Sequence, residues 1–293
     1  MQKSILITGC SSGIGYEAAH TLSKRGWRVF ATCRLEIDCA RLRLEGLESF
    51  PLDYSNEESI KFAVHETLVR TNGTLDAVYN NGAYAIPGLV QDVPRDAYRA
   101  IFEVNLFGYF DLINQILPIM FNQGHGRIIN CSSILGLTAM QARGAYNATK
   151  FAMEGLTDTL RLELKKSPIK IILIEPGPIT ADIRVKSQPH FERWIDWNNS
   201  KNRLFYEKAL IPRLYAKNTD IDLGELPPSA VIKKLIHALE AKNPHPRYYV
   251  TWPTHVAGAL KRLLTTRALD SVSYTHLRAH ETPEHLVCRL LLE

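Results

Sequence analysis

Ser4-Ile5-Leu6-Ile7-Thr8-Gly9-Cys10-Ser11-Ser12-Gly13-Ile14-Gly15 is the stretch whose reading sets the fold. An apolar strand over residues 3–8 runs into a glycine-rich turn, and an amphipathic helix follows to about Arg25, where Gly26 stops it. Backbone N–H groups at such a turn, added to the helix dipole, favour an anion and above all a pyrophosphate. Gly9 permits the tight turn, Gly13 the close approach of a ligand, and Gly15 the packing of helix on strand. Taken alone, the motif also fits a structural turn or the adenosyl-cofactor loop of a methyltransferase.

Beyond that helix, short β-branched runs alternate with helical patterns. Strands are expected at 27–32, 48–52, 75–79, 127–131, 170–174 and 247–251. Helices are expected at 56–70 (capped by Asn56), 94–121, 145–166 and from Pro227-Pro228 onward. This alternation implies βαβ crossovers and a parallel sheet. The expected fold class is therefore α/β: one Rossmann-type, doubly wound parallel sheet with helices on both faces, spanning residues 1–270. The 293 residues, 45% hydrophobic and 22% charged, are ordinary globular composition, which excludes collagen-like, disordered and disulfide-scaffold chains. A core of that size needs no metal or disulfide staple, and no metal site is expected.

The formal charge is +5, but the basic residues are scattered and form no nucleic-acid stripe. Five cysteines without paired spacing suit a reducing compartment, and the N-terminus lacks a signal-peptide pattern. No apolar run approaches the roughly 20 residues of a bilayer span, so a cytoplasmic protein is expected. Residues 271–293 change character. Val272 to Thr282 (VSYTHLRAHET) and Leu286 to Glu293 (LVCRLLLE) resemble two successive pieces of a translated sequencing-library adapter in one frame. The rival reading, a metal tail built on His276, His280 and His285, lacks supporting carboxylates or thiolates. The expectation is a non-native tail in place of the native C-terminus, and without it the charge is +6.

Cofactor choice is read at the end of the second strand, Ala31-Thr32-Cys33-Arg34. An NAD site carries an acid about 20 residues past the turn to take the ribose 2′-OH. Here a cation stands in that place, and Arg34 suits a 2′-phosphate, so NADP(H) is expected over NAD(H). Glu36 lies close enough to complicate this, and a solvated surface arginine is the plain alternative. Asp53, just past the third strand, is a candidate acceptor for the adenine amino group.

Asn105, Ser133, Tyr146 and Lys150 complete a constellation. Tyr146 and Lys150 stand four apart on one helix and share a face, and Ser133 follows the strand ending Asn130-Cys131-Ser132. With Thr8-Gly9-x-x-x-Gly13-x-Gly15, Asn80-Asn81-Gly82 and Pro176-Gly177, these occur in the order and approximate spacing of the short-chain dehydrogenase/reductase family. The chain resembles that family over about residues 3–252, and most resembles its hydroxysteroid- and retinol-dehydrogenase-like branch. Singly, each residue has a plain reading: Ser133 a helix cap, Tyr146 a core aromatic, Lys150 a surface charge, Asn105 a helix polar group.

The resemblance implies roles. Tyr146 is the general acid in reduction and the base in oxidation, and Lys150 holds the nicotinamide ribose and lowers the tyrosine pKa from near 10. Ser133 hydrogen-bonds the substrate carbonyl, and Asn105 holds a water that links Lys150 to solvent. Cofactor contacts are implied at Gly9, Ser11, Ser12, Gly13, Ile14, Gly15, Arg34, Asp53, Asn81, Tyr146, Lys150, Pro176, Gly177 and Ile179. One departure is visible: Asn80-Asn81-Gly82-Ala83 stands where the family has Asn-Asn-Ala-Gly.

Residues 179–226 break the pattern, with Phe191, Trp194, Trp197, Phe205, Tyr206 and Tyr215 set among polar residues. So long a stretch in a compact α/β domain reads as a substrate lid. Its aromatics suit a lipophilic carbonyl or alcohol (steroid-, retinoid- or long-chain-aldehyde-like), or they simply pack the lid down. The helix over 255–269 carries Lys261, Arg262 and Arg267 and is expected to pack on its own domain, with peripheral membrane contact as the lesser reading. A homodimer through helices 94–121 and 145–166 is implied by resemblance. The rival from another class is a catalytically silent NADP(H)-sensing protein.

Overall fold

The computed structural model describes residues 2–216 and 222–271. Its strands are β1 Ser4–Ile7, β2 Arg28–Cys33, β3 Glu48–Pro51, β4 Ala77–Asn80, β5 Gly126–Cys131, β6 Ile169–Glu175 and β7 Arg247–Tyr249. They pair in the order β3-β2-β1-β4-β5-β6-β7, every pair parallel. The strand order reverses between β1 and β4, and ligands of open parallel sheets bind beyond the carboxyl ends of the strands at such a point.

Between the strands run α1 Gly13–Lys24, α2 Glu36–Leu44, α3 Glu57–Arg70, α4 Arg95–Phe102, α5 Gly108–Gln123 and α6 Gly144–Glu163. Then come α7 Ile183–Trp194, α8 Arg203–Phe205, α9 Ile211–Tyr215, α10 Pro228–Glu240 and α11 Trp252–Leu263. Side-chain alternation along β1 shows why the sheet is covered twice. Ile5 and Ile7 face α1, α2 and α10 through Ala18, Leu22, Leu42, Val231 and Leu235. Leu6, between them, faces α3, α5 and α6 through Ile60, Leu112, Ile116 and Met153. Each fully buried Leu or Ile is worth about 1.5–3 kcal/mol, so two such faces leave the fold little choice.

Four elements differ from expectation. α2 was not foreseen, because only Cys39 and Leu42 are buried on a helix otherwise rich in charge. The helix expected over 94–121 is α4 and α5 joined by a wide π turn, Glu103–Phe107, which carries the buried Asn105. Taken together, Arg95–Gln123 is also long and apolar enough to span a membrane, yet its Ile101, Tyr109, Leu112, Ile113, Ile116 and Met120 are buried within the domain. The lid is helical rather than irregular, through α7, α8, α9 and a π turn at Tyr206–Leu210. Finally, α11 starts at Trp252, ahead of the expected start, with a proline in its first turn; it packs on its own domain, where a Cβ on Gly258 would lie 2.7 Å from the Tyr249 ring. The residues read as adapter-derived lie, from 272 onward, outside the described residues.

Candidate active site

The turn between β1 and α1 has the geometry its glycines suggest. Gly9 and Gly13 adopt left-handed φ of 70° and 57°, which glycine reaches at least cost. A Cβ on Gly15 would sit 2.3 Å from the Gly9 carbonyl oxygen. Gly82 packs against Gly9, where a Cβ would meet Gly9 Cα at 3.3 Å, so the displaced glycine of Asn80-Asn81-Gly82-Ala83 has a local reason. Asn81 braces the turn: its N–H donates to Thr8 Oγ1 at 2.9 Å and its Nδ2 to the Thr8 carbonyl at 3.1 Å.

Behind the turn a buried polar chain ties the strand ends together. Thr8 Oγ1 and Tyr54 Oη lie 2.8 Å apart, and Tyr54 donates to Asn80 Oδ1 at 2.7 Å. Asn80 Nδ2 donates to Asn130 Oδ1 at 2.9 Å, and Asn130 Nδ2 to Thr157 Oγ1 at 3.0 Å. Satisfied buried networks of this kind rigidify a site. Nothing in the sequence singled out Tyr54 or Asn130.

Ser12 caps the backbone of α1 without a side-chain capping bond, and α1 has no acid in its first turn. Arg34 is exposed and makes no ion pair or hydrogen bond among the described residues, whereas Glu36 pairs with Arg43. Glu36 therefore does not neutralise Arg34. The left-handed glycines, a helix N-terminus without an acid in its first turn and the Arg34 cation after β2 fit a phosphorylated dinucleotide. Asp53 is less free, since its Oδ1 accepts from Ser55 N–H at 2.9 Å and Ser55 Oγ at 2.7 Å.

Beyond β5, Ser133 opens a short 3₁₀ turn, accepting from Leu135 N–H at 3.1 Å, and its hydroxyl lies near enough to the Tyr146 phenol to favour the phenolate. Tyr146 and Lys150 are both buried on α6. Lys150 Nζ donates to the Cys131 carbonyl at 2.8 Å and stands 5.6 Å from the centres of the Tyr109 and Tyr146 rings. Burial pulls its ammonium down to about 8. Burial also holds the Tyr146 phenol above its ordinary value, while Ser133 and the neighbouring Arg143 pull the other way. Removing water from the phenolate outweighs the help from these neighbours, and the Lys150 ammonium donates to the Cys131 carbonyl.

Asn105 is buried in the π turn between α4 and α5. Its Oδ1 accepts from Tyr84 N–H at 3.1 Å, and its Nδ2 donates to the Tyr84 carbonyl at 2.8 Å and to Thr149 Oγ1 at 3.3 Å. Both amide hydrogens are taken, so this side chain braces the segment after β4 against α6, while its Oδ1 keeps a second lone pair for a water. Pro176 accepts from Ile134 N–H at 2.7 Å, joining the β5 and β6 ends. Gly177 has no room for a Cβ, which would lie 2.0 Å from Thr251 Oγ1. Ile179 pairs with Leu226, which pins the two ends of the lid together.

The lid aromatics mostly hold the lid down. Phe191 and Tyr206 are buried with Ile86, Ala142 and Tyr146, and Tyr206 Oη donates to Asp92 Oδ2 at 2.7 Å. Trp194 and Trp197 line an outer groove of about 640 Å³ whose walls include neither Ser133 nor Tyr146. His190 stacks on Tyr84 at 4.0 Å, and Lys186 reaches back to Ser11 and Ser12. Neither lid residue had a signal in the sequence, since their partners lie more than a hundred residues away.

A family model described as short chain dehydrogenase matches residues 3–191. The uncharacterized oxidoreductase YbbO of Escherichia coli strain K12 is 37% identical over 273 residues, covering 93% of this chain and 94% of that protein. The mitochondrial D-beta-hydroxybutyrate dehydrogenase of Mus musculus is 31% identical over 287 residues, covering 88% and 82%. Among solved structures, an actinorhodin polyketide ketoreductase variant with NADPH has a TM-score of 0.68 and 26% identity, over 85% of this chain and 95% of that one. A short chain dehydrogenase/reductase from Burkholderia phymatum in complex with NAD shares the fold at TM-score 0.73 and 23% identity, over 89% and 92%.

Proposed function

The chain belongs to the short-chain dehydrogenase/reductase family of oxidoreductases, and from that premise we propose that it moves a hydride between NADP(H) and a lipophilic aldehyde or ketone, or the corresponding alcohol. The observation that carries this reading is the meeting of Ser133, Tyr146 and Lys150 beyond β5, beside the glycine turn. The nicotinamide, when bound, supplies or accepts the hydride. Gly9, Gly13, Ser11, Ser12 and the Ile14 and Gly15 backbone hold the phosphates, with Arg34 on the 2′-phosphate.

In reduction the Ser133 hydroxyl donates to the carbonyl oxygen and steadies the charge that develops there. Tyr146 gives its phenolic proton to that oxygen as the carbon gains hydride, and the phenolate is then reprotonated from the Lys150 side. At neutral pH the Tyr146 phenol carries the proton that this acid step delivers. Arg143 and Ser133 keep the phenolate accessible for the reverse direction.

Support for a lipophilic substrate lies in the surroundings of Tyr146, packed in one apolar cluster with Ala85, Ile86, Ala142, Phe191 and Ile195. The hydroxybutyrate dehydrogenase relative makes a short hydroxy acid the natural competing class. Support for NADP(H) rests on Arg34 and on the NADPH-bound ketoreductase, with the NAD-bound neighbour as the counterweight. Exposed Phe107, Phe121, Phe151 and Leu162 on and beside α5 and α6 support a homodimer through those helices. Four buried free thiols, Cys10, Cys33, Cys39 and Cys131, suit a reducing cytoplasm.

The test is NADPH and NADH absorbance with medium-chain aldehydes, retinal, a ketosteroid and acetoacetate. NADPH-dependent turnover of the lipophilic carbonyls supports the reading. Turnover of acetoacetate alone overturns the substrate class, and tight NADPH binding without turnover points to the silent sensor.

A further inference from the structure

Lys186 lies in the first turn of α7, 175 residues from the glycine turn, yet its ammonium donates to Ser11 Oγ at 3.2 Å and to Ser12 Oγ. No carboxylate pairs with it among the described residues; its neighbour Arg184, by contrast, pairs with Asp222 at 3.4 Å. Neither α1 nor α7 has an acid in its first turn. The cation therefore sits where two helix N-termini, each carrying about half a positive charge, come together. Asp182 caps α7 without a side-chain capping bond, but no carboxylate among the described residues reaches the Lys186 ammonium, which rests on two neutral serine oxygens.

The lid lies close over the turn at the same place, since a Cβ on Gly13 would contact Ala181 Cβ at 3.4 Å. Arg34 follows β2, and Arg41 donates to the Ser11 carbonyl at 2.7 Å. Two cation positions thus match two phosphate positions: Arg34 for a ribose 2′-phosphate, Lys186 for the pyrophosphate at the start of α1.

Resting on the dinucleotide reading above, we propose that Lys186 is a pyrophosphate ligand carried by the lid. Its ammonium grips the diphosphate, while the Ser11 and Ser12 hydroxyls turn from accepting to donating. The lid is then drawn onto the cofactor before the apolar cluster around Tyr146 closes on a substrate. Because the pyrophosphate is common to both dinucleotides, Lys186 sets affinity for either, and Arg34 sets the choice between them.

The test is fluorescence or calorimetric titration of the full chain with NADPH, NADH, ADP (diphosphate, no 2′-phosphate) and 2′-AMP (2′-phosphate, no diphosphate). Lys186→Met is expected to weaken NADPH, NADH and ADP alike by roughly tenfold, as for one charge-assisted bond, and to leave 2′-AMP unchanged. Lys186→Arg restores most of the loss, and Arg34→Ala weakens NADPH and 2′-AMP while sparing NADH and ADP. Without ligand, Lys186→Met melts close to the parent, because only two exposed bonds to neutral hydroxyls are lost. Unchanged ADP affinity overturns the proposal, as does a lower melting temperature with unchanged affinities, which marks a structural brace. Failure of the parent protein to bind any of the four overturns the dinucleotide reading itself, and this proposal with it.

Discussion

Lys150 Nζ donates to the Cys131 carbonyl oxygen at 2.8 Å while standing 5.6 Å from the centre of the Tyr146 ring. A buried ammonium is thereby held next to the phenol by a backbone bond from the strand end that also leads to Ser133. Burial lowers the lysine from 10.5 to about 8, so the folded protein binds fewer protons than the unfolded chain between those values. Stability from this group accordingly rises as pH increases through that window. Lys150→Met is expected to abolish that rise and to melt higher than the parent at pH 7. The same change is expected to lower kcat by about 10²-fold or more. Thermal melts across pH and steady-state rates check both halves, and a variant that melts lower with its kcat intact contradicts the assignment.

Arg143 stands three residues before Tyr146 and favours the phenolate against burial. Arg143→Leu should therefore raise the tyrosine pKa further. The expected signature is an alkaline shift of the kcat/KM profile for alcohol oxidation, with little change in the rate of carbonyl reduction near neutrality. An unshifted oxidation profile removes Arg143 from the account.

Arg34 has no protein partner among the described residues, so its removal leaves no stranded acid. Arg34→Ala is expected to weaken NADPH by roughly tenfold or more, as for a charged hydrogen bond, and to leave NADH within about twofold. Equal losses for the two dinucleotides would place the arginine away from the 2′-phosphate.

Glu175 closes β6 beside the glycine of Pro176-Gly177, fully buried with Glu154 and paired with Arg247. Burial and Glu154 raise it from 4.5 to about 8, so the folded state binds the extra proton between those values. Its contribution to stability is thus lost as pH rises through the window. Glu175→Gln keeps the shape of the protonated acid. It should match the parent near pH 5 and melt higher at pH 8, at about 2–4 °C for each kcal/mol gained. A variant that melts lower at pH 8 shows that the Arg247 pair outweighs burial.

The strand ends and glycine turn were legible because parallel strands buried on both faces read as unbroken apolar runs, as at residues 5–7 and 171–174. Asn56 was legible as a cap, and it accepts from Ser59 N–H at 3.1 Å. α2 was not, since two buried residues in a charged segment give no periodic signal. The protonation states were not legible either: Tyr146 and Lys150 face each other by spacing, but how far burial shifts each depends on packing contributed by distant segments. Lys186 and the Tyr84–His190 stack come from the lid folding back, a relation no local pattern records.

The most direct test of the central claim uses NADPH carrying deuterium on the nicotinamide, with a lipophilic aldehyde or ketone and mass analysis of the product. The account predicts one deuterium on the carbinol carbon with the parent protein, and none with Tyr146→Phe despite retained NADPH binding. No labelled alcohol from any carbonyl in the panel, or Tyr146→Phe turning over at the parent rate, contradicts it.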